Sequence, residues 1–327
     1  MNIVEFAKKS GFSTATVSRA FHEPHKVSAR TREAILSLAR ELQYYPDPTG
    51  RVLVQGRHDV LGLVWPLEVE GSDALFAQRA LASLTRQLVK NDLDLLICPV
   101  DRTNQGTVSH AHRTLLRSRC DAWILLYPRR HDELIRPLKS SRKPIICLMG
   151  RVADCPEWKC VRLNQQSWIK ESLERLRDSG SRNVLFLGSR PDEPDHEERH
   201  TAFHELAPIY FGTHAHFLPG WPIDSASLRS LLKEKEIDGV IGVDDRAALA
   251  AVEQCHALGI RIPEEMRIVG IDDDPEGRIA TPPLSTFRQP LDEMLRWAVE
   301  IALRRETESK VFDSEFVPRA SLPVKAK

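Results

Sequence analysis

The spacing of apolar and polar positions predicts three short helices within the first 45 residues. The apolar residues recur at helical intervals and can form one small core: Phe6, Ala7, Phe12, Val17, Ala20, Phe21, Ile35, Leu38, Ala39 and Leu42. Asn2, Ser13 and Ser28 precede the three stretches and can cap them, while Gly11 can supply the turn between the first two helices. Glu5 stands three positions after the first cap, which is the capping-box spacing. A helix, a turn and a second short helix are the layout of a helix-turn-helix DNA reader.

The outward face of the second predicted helix carries short side chains and one arginine: Thr14, Ala15, Thr16, Ser18 and Arg19. Short side chains let a helix enter the major groove, and an arginine can bind a guanine edge. The alternative interpretation is an ordinary three-helix domain whose Ser and Thr residues are only caps and solvated positions. Charge favours the DNA reader, because residues 1–57 hold nine Lys or Arg against five acidic residues, a net charge of +4, whereas the remaining chain carries −4.

From residue 58 onward, short apolar runs alternate with amphipathic stretches. Strands are predicted over residues 60–65, 93–98, 122–127, 144–149, 183–187, 239–243 and 267–271, and helices over 74–90, 168–179, 226–234 and 246–258. This alternation predicts parallel sheets wrapped by helices. Roughly 270 residues exceed what one such sheet needs, so two similar lobes are expected.

Polar residues that follow the predicted strands are candidates for a ligand site, because ligands of open α/β lobes bind beyond the carboxyl ends of the strands. Arg199 offers a planar fork of donors and Asp272 offers acceptors, which together suit a vicinal diol. Asp244 is a third candidate, although Asp244 and Asp245 could simply cap the helix that follows.

The segment from His196 to His200 reads His-Glu-Glu-Arg-His and matches the HExxH pattern of zinc peptidases. We nevertheless expect no metal, because Arg199 within the motif already has a place in the ligand site and no remote third ligand is evident. The six cysteines show no CxxC pair; Cys98, Cys147 and Cys255 are expected to be buried thiols, and Cys155 and Cys160 are spaced too loosely for a zinc knuckle. With no P-loop, GxGxxG, GxSxG or Cys-His signature, the sequence predicts no cofactor, no catalytic residue and no enzymatic activity.

Three blocks in the first 46 residues resemble, in order and spacing, the amino-terminal domain of the LacI/GalR family of bacterial transcriptional regulators: Thr16-Val17-Ser18-Arg19, Val27-Ser28-Ala29-Arg30-Thr31-Arg32 and Leu42-Gln43-Tyr44-Tyr45-Pro46. The resemblance implies DNA contacts by Ser13, Thr14, Ala15, Thr16, Ser18, Arg19, His22, Ser28 and Thr31. His22 departs from the Asn that is more usual in the family. The resemblance also implies that residues 47–57 form a hinge that becomes helical on DNA and inserts Leu53 into the minor groove.

Later segments resemble the effector-binding core of the same family, which is similar to periplasmic sugar-binding proteins: Leu176, Gly180, Asn183–Gly188, Arg199, Phe203, Val243–Asp245, Gly259–Pro263, Val269–Asp273 and Pro283–Pro290. The resemblance therefore covers essentially the whole chain. It implies that Arg199 and Asp272 contact the effector, with Phe76 and Trp221 as apolar walls against a sugar face.

The expected fold is an all-α helix-turn-helix headpiece followed by an α/β two-lobed, periplasmic-binding-protein-like core with parallel sheets. The expected domains are a DNA-binding domain over 1–46, a hinge over 47–57 and an effector-binding and dimerisation domain over 58–327. Within this last domain, we expect one lobe to comprise about 58–160 and 288–312 and the other about 161–286 and 313–327.

The expected partners are a pseudo-palindromic double-stranded operator, a small-molecule effector of the carbohydrate class, and a second copy of the chain, paired near the helix over 74–90. The sequence shows neither a basic-then-apolar leader nor an apolar run of roughly 18 residues, so we expect a cytoplasmic protein that does not enter membranes. The alternative function is a cytoplasmic sugar-binding module without a DNA-directed role.

Overall fold

A computed structural model describes residues 1–45, 57–67, 72–190 and 193–323, and the side chains of all of these except Ser72 and Asp73. The contacts divide the chain into two units, Met1–Asp59 and Val60–Lys327. Nearly all of the predicted hinge, including Leu53, lies outside the described residues.

The described residues of the first unit form three α-helices: α1 (Ile3–Ser10), α2 (Thr14–His22) and α3 (Ala29–Glu41). A short 3-10 turn, Pro24–Lys26, joins the second helix to the third. The predicted three-helix layout is confirmed.

The predicted caps of these helices are also confirmed. Asn2 accepts a hydrogen bond from the Glu5 backbone, and the Glu5 carboxylate accepts one from the Asn2 backbone, which closes the capping box. Gly11 ends α1 with φ 71°, a left-handed conformation that glycine adopts without steric cost.

A single apolar cluster holds the three helices together. Phe6, Val17 and Ile35 are fully buried, one from each helix. The ring of Tyr44 stacks on Phe6 with centroids 4.2 Å apart, so the segment after α3 closes the core. Large buried side chains of this kind contribute about 1.5–3 kcal/mol each.

The second unit contains two six-stranded sheets. The first has the strand order β11-β5-β4-β3-β1-β2, and its strands are β1 (Val60–Pro66), β2 (Asp94–Val100), β3 (Ala122–Leu126), β4 (Ile145–Leu148), β5 (Lys159–Leu163) and β11 (Lys310–Phe312). The second has the order β12-β10-β9-β8-β6-β7, and its strands are β6 (Val184–Leu187), β7 (Ala215–Leu218), β8 (Gly239–Gly242), β9 (Arg267–Ile271), β10 (Ser285–Arg288) and β12 (Glu315–Val317). The described pairings are parallel, apart from the antiparallel pair β10–β12. Each sheet forms one lobe, so the predicted two-lobed parallel fold is confirmed.

Helices connect and cover the strands: α4 (Ser72–Lys90), α5 (Gln105–Arg117), α6 (Ile135–Ser140), α7 (Gln165–Ser179), α8 (Pro194–Phe211), α9 (Ser225–Glu234), α10 (Asp245–Leu258), α11 (Pro275–Ile279) and α12 (Leu291–Ala302). One large apolar cluster lies in the second lobe and two lie on the first lobe's sheet. No helix among the described residues is both long enough and apolar enough to cross a bilayer.

The chain changes lobes where the strand order requires it. The strand β5 continues to Leu163 within the first sheet, so residues 161–163 belong to the first lobe and not to the second as predicted. Later crossings fall between Arg288 and Leu291 and between Phe312 and Glu315, which leaves each lobe assembled from two chain segments.

Candidate DNA-binding and effector sites

The polar face predicted for α2 is accessible to a partner. Ser13, Thr14, Ala15 and Arg19 are exposed, whereas Val17 on the opposite side of the helix is completely buried. Thr16 and Ser18 are partly exposed and complete the same polar face. A short-side-chain surface with one arginine is thus present on the second helix of the helix-turn-helix.

Ser13 and Ser28 begin their helices in the same way. The Ser13 hydroxyl accepts a hydrogen bond from the Thr16 backbone at 3.1 Å, and the Ser28 hydroxyl accepts one from the Thr31 backbone at 3.1 Å. In each pair the two hydroxyl oxygens also lie 2.8 Å apart. Two exposed helix starts with hydroxyl groups are suited to hold phosphate oxygens.

His22 ends α2 and is partly buried, with its ring 6.2 Å from the Phe21 ring. Arg32 on α3 donates to the Ala20 carbonyl at 3.2 Å, which fixes α3 against the end of α2. His22 therefore lies at the end of the polar face and not at its centre.

In the second unit, buried or partly buried polar side chains collect at the carboxyl ends of the second lobe's strands. Arg190 follows β6, Asp244 follows β8, Asp272 follows β9 and Gln289 follows β10. The first turns of α8 add three more buried polar residues, Asp195, His196 and Arg199. We call this set of seven residues the polar cluster.

Arg199 is the organising cation of the polar cluster. Its Nη1 donates to the Val243 carbonyl at 2.7 Å, its Nε donates to Gln165 at 3.1 Å, and its Nη2 donates to Asp195 at 3.1 Å. Burial raises the pKa of Asp195, an effect that the charge of Arg199 opposes. Three of the five N–H donors of the guanidinium are thus used inside the protein, which fixes its plane.

Asp244 has two roles in one carboxylate. Its Oδ1 accepts from the Ala247 backbone at 2.7 Å and caps α10, as the alternative interpretation from the sequence anticipated. Its Oδ2 is buried without a hydrogen-bond partner and lies 3.6 Å from Arg190 Nη2. One oxygen therefore serves the fold, while the other still has capacity to accept a hydrogen bond.

Asp272 combines burial, backbone strain and a neighbouring amide. Its φ is 122°, a region that favours glycine and costs a non-glycine residue about 1–3 kcal/mol. Its Oδ1 accepts from the Gln289 amide nitrogen at 2.5 Å, while Gln289 Oε1 is buried without a hydrogen-bond partner. Burial raises the pKa of Asp272 well above its ordinary value, and the charge of Arg199 opposes that rise.

The two predicted apolar walls lie in different environments. Phe76 on α4 is only 4% exposed and packs in the first lobe's core, with its ring 5.8 Å from Tyr127. Trp221 is partly buried between the guanidinium groups of Arg190 and Arg246, at 4.5 and 5.2 Å from its ring centre. Trp221 thus adjoins the polar cluster through Arg190, whereas Phe76 offers little free surface in this conformation.

The residues of the HExxH match point in different directions. His196 is buried in the polar cluster, and burial lowers its pKa well below the ordinary value. His200 stacks on Phe217 with ring centroids 4.1 Å apart. Among the described residues, Glu193, Asp195 and His196 could bring ligand atoms within 4.8 Å of one another.

That acidic group lies beside two cations, which disfavours a metal ion. Arg190 Nη1 lies 3.5 Å from Glu193, and Arg199 Nη2 lies 3.1 Å from Asp195. The carboxylates are therefore already neutralised by guanidinium groups, which a divalent cation would have to displace.

Another face of α8 carries contacts between the lobes that were not predicted from the sequence. Glu198 accepts from Arg162 of β5 at 2.9 Å and lies 3.2 Å from Arg151 Nε. Glu197 binds Arg130, which follows β3. These pairs border a cavity of about 740 Å³ beside the crossing at Leu163.

Arg79 on α4 makes a further contact between the lobes. Its Nη1 donates to the Asp272 carbonyl at 2.8 Å and to the Asp274 carboxylate at 3.3 Å. The strained residue of the polar cluster is thereby connected directly to a helix of the first lobe. The partners of these two contacts lie 193 and 195 residues apart in the sequence, so no local sequence pattern predicts them.

Two protein families match this chain. Residues 2–47 match the family described as bacterial regulatory proteins, lacI family, and residues 173–322 match the periplasmic binding protein-like domain. The regulator GalS of Salmonella typhimurium is 26% identical over 316 residues, covering 93% of this chain and 89% of the relative. The regulator CelR of Thermobifida fusca is 27% identical over 315 residues, covering 92% and 90%. The repressor PurR of Aliivibrio fischeri is 23% identical over 337 residues, covering 98% of each.

Solved structures share the fold. The lac repressor dimer bound to operator and the anti-inducer ONPF has a TM-score of 0.78 at 19% identity, covering 99% of both chains. The complex of the regulator CelR with cellobiose has a TM-score of 0.70 at 24% identity, covering 98% of this chain and 99% of that chain. These relatives are transcriptional regulators and not enzymes.

Proposed function

Since this chain belongs to the LacI/GalR family of bacterial transcriptional regulators, we propose that it is a homodimeric repressor of a pseudo-palindromic operator. A sugar or sugar derivative bound between the lobes controls its affinity for that operator. The observation that carries the effector proposal is the polar cluster, in which buried atoms still require hydrogen-bond partners.

Two buried acceptor atoms of the polar cluster favour a ligand that donates hydrogen bonds. Asp244 Oδ2 and Gln289 Oε1 are acceptors, and His196 Nδ1 is a third buried atom without a hydrogen-bond partner. Leaving such an atom unsatisfied costs about 1–3 kcal/mol. Sugar hydroxyl groups can donate to acceptors of this kind, whereas a phosphate group would meet the negative charge of Asp244. We therefore favour a neutral sugar, contacted by Asp244, Asp272 and Gln289 with Trp221 beside it.

The DNA-binding proposal rests on the exposed face of α2 and on the positive charge of residues 1–57. Thr14, Ala15 and Arg19 read base edges, and Ser13, Thr16, Ser18, His22, Ser28 and Thr31 contact the backbone. Leu53 of the hinge enters the minor groove at the operator centre.

We propose that two copies pair through α4, since a pseudo-palindromic operator requires a two-fold symmetric protein. Val89 on this helix is 82% exposed, which offers an apolar contact to a second copy. Because its target is chromosomal DNA, we propose that the protein acts in the cytoplasm.

The effector proposal is tested by thermal unfolding in the presence of neutral sugars, sugar phosphates, nucleosides and purines. A neutral sugar at about one hundred times its Kd should stabilise the folded protein by about 2.7 kcal/mol. Stabilisation by the phosphates or purines alone would contradict the proposed ligand class.

A matched pair of variants tests the role of Asp244. Asp224 caps α9 as Asp244 caps α10, accepting from the Ser227 backbone at 2.9 Å, but it is exposed. Asn caps a helix as well as Asp does, so Asp244→Asn should weaken sugar binding while Asp224→Asn should not. Equal effects of the two variants would refute a ligand contact at Asp244.

The DNA proposal is tested by selecting preferred duplexes from a random pool and measuring their footprint. We expect a two-fold symmetric site, and Arg19→Ala should lose about 1–3 kcal/mol more on that site than on random DNA. Arg40→Ala is the control, because Arg40 is an exposed arginine in the last turn of α3 that binds Glu33. A protein that binds sugars but no duplex would instead be a sugar-binding module.

A further inference from the structure

Two cysteines of the first lobe lie side by side on neighbouring strands. Cys147 of β4 and Cys160 of β5 are paired in register, and both contact the same apolar cluster. Neighbouring strands lie about 4.8 Å apart. A disulfide requires a Cα separation of roughly 4.4–6.8 Å, so the backbone already has the spacing for a cross-link.

The two thiols have unequal environments. Cys147 is completely buried, whereas Cys160 is partly exposed at the beginning of its strand. The neighbouring Cys147 thiol lowers the pKa of Cys160, and the charges of Arg162 and Arg151 act in the same direction, although burial and Glu198 oppose them. The neighbouring Cys160 thiol, together with burial, raises the pKa of Cys147 well above its ordinary value. An accessible, cation-flanked thiol beside a buried one is the arrangement of an attacking and a resolving cysteine.

We propose that Cys160 and Cys147 form an oxidation site that reacts with hydroperoxides to give a disulfide. The Cys160 thiolate attacks the nearer oxygen of the peroxide, the O–O bond breaks, and the departing alkoxide or hydroxide takes a proton. The Cys147 sulfur then attacks the Cys160 sulfenic acid, the S–O bond breaks, and the thiol proton leaves with the hydroxide as water. Two thiols and one hydroperoxide thus give one disulfide, one water and one alcohol, or a second water when the oxidant is hydrogen peroxide.

The alternative is a purely structural pair of thiols that packs the core and does not react. Cys255 is a suitable reference for this case, because burial alone raises its pKa to about 12. Cys155 belongs to the same apolar cluster as the pair and is the competing partner for a cross-link.

The test is peptide mapping of the full-length protein after treatment with hydrogen peroxide. We expect a Cys147–Cys160 linked peptide that has lost two hydrogens and is restored by dithiothreitol. In Cys147→Ser the resolving thiol is absent, so a sulfenic-acid probe should label Cys160 several-fold more than Cys255. In Cys160→Ser neither the cross-link nor the label should form.

Three outcomes would overturn the proposal. These are labelling of Cys255 as fast as Cys160, a cross-link that uses Cys155 instead, or oxidation of Cys160 in the unmodified sequence without any cross-link. The peptide mapping of the unmodified protein needs no variant, so it still decides the question if either variant fails to fold.

Discussion

Each lobe contains a six-stranded sheet whose strands are connected mainly by helices, but the two lobes bury different polar side chains. Among its polar residues the first lobe buries Ser83 and Gln87, which lie one turn apart on α4, and Asp132, which binds Arg102. The second lobe buries a connected group of acidic and basic residues: Asp195, His196, Arg199, Asp244, Asp245, Asp272, Asp273 and Asp274. The two similar folds therefore differ in role: the polar cluster lies in the second lobe, and the first lobe supplies contacts to it through Arg79.

Burying these charged side chains costs free energy, and ion pairs within the second lobe offset that cost. Asp273 is almost completely buried, and its carboxylate binds Arg278, Arg288 and Arg319. Hydrogen bonds from these arginines lower its pKa even though burial opposes them. Buried charge is tolerated here because each carboxylate oxygen has cationic partners.

The largest expected effect is therefore the loss of Asp273. We expect Asp273→Ala to lower the free energy of unfolding by about 3–5 kcal/mol, because it leaves three guanidinium groups without their shared partner. Urea unfolding of the second unit measures this loss.

Asp292 in the first lobe provides the control for Asp273. Its carboxylate binds Arg86 at 2.7 Å and also accepts from Ser83, but the side chain is 67% exposed. Asp292→Ala should cost less than about 1 kcal/mol. Losses of unfolding free energy of similar size in the two variants would contradict the proposed difference between the lobes.

The second prediction concerns pH. Burial raises the pKa of Asp245 to about 7, while hydrogen bonds from Thr286 at 2.6 Å and the Asp274 backbone at 2.8 Å oppose the rise. The folded state then binds more protons than the unfolded state between about pH 4 and pH 7. This group's contribution to stability should decline as pH rises through that window, by on the order of 2–4 kcal/mol.

Asp245→Asn cannot titrate and should remove that decline. The measurement is the difference in unfolding free energy between the variant and the parent protein at a series of pH values. A constant difference from pH 4 to pH 8 would show that Asp245 keeps an ordinary pKa in the folded protein.

Apart from the Asp292 control, the smallest expected effect on stability belongs to the connection between the lobes. Arg79→Met removes the hydrogen bonds to the Asp272 carbonyl and to Asp274, and we expect a loss of about 1 kcal/mol. Its effect on effector affinity should be proportionally larger, because Arg79 holds the backbone of a residue in the polar cluster. The affinity is measured by calorimetry with the sugar found in the thermal screen. An unchanged affinity would show that the contact of Arg79 with Asp272 does not influence sugar binding.

Sequence patterns succeeded where the information is local. The caps at Asn2, Ser13 and Ser28, the turn at Gly11 and seven of the described strands (β1 to β4, β6, β8 and β9) were predicted from neighbouring residues. Strands β5, β7, β10, β11 and β12 were not predicted as strands, because they are short and their apolar runs are interrupted by polar residues.

The candidate site was only partly predictable, because its contacts join distant parts of the chain. Arg199 was predicted to offer donors to a ligand, yet three of its donors bind protein groups. Phe76 was predicted as a wall of the site but packs on Tyr127 within the first lobe. Arg79 and Gln289 gave no signal, since their roles depend on the crossing of the chain between lobes.

The helix α8 has one further consequence for how this protein can diversify. One of its faces supplies Arg199 to the polar cluster, and another supplies Glu197 and Glu198 to arginines of the first lobe. A substitution that rotates or shifts α8 to suit a new ligand therefore also changes the ion pairs that join the two lobes. Changes in ligand preference and in the ligand concentration needed for a response should consequently arise together. Separating these two effects requires paired substitutions on both faces of α8.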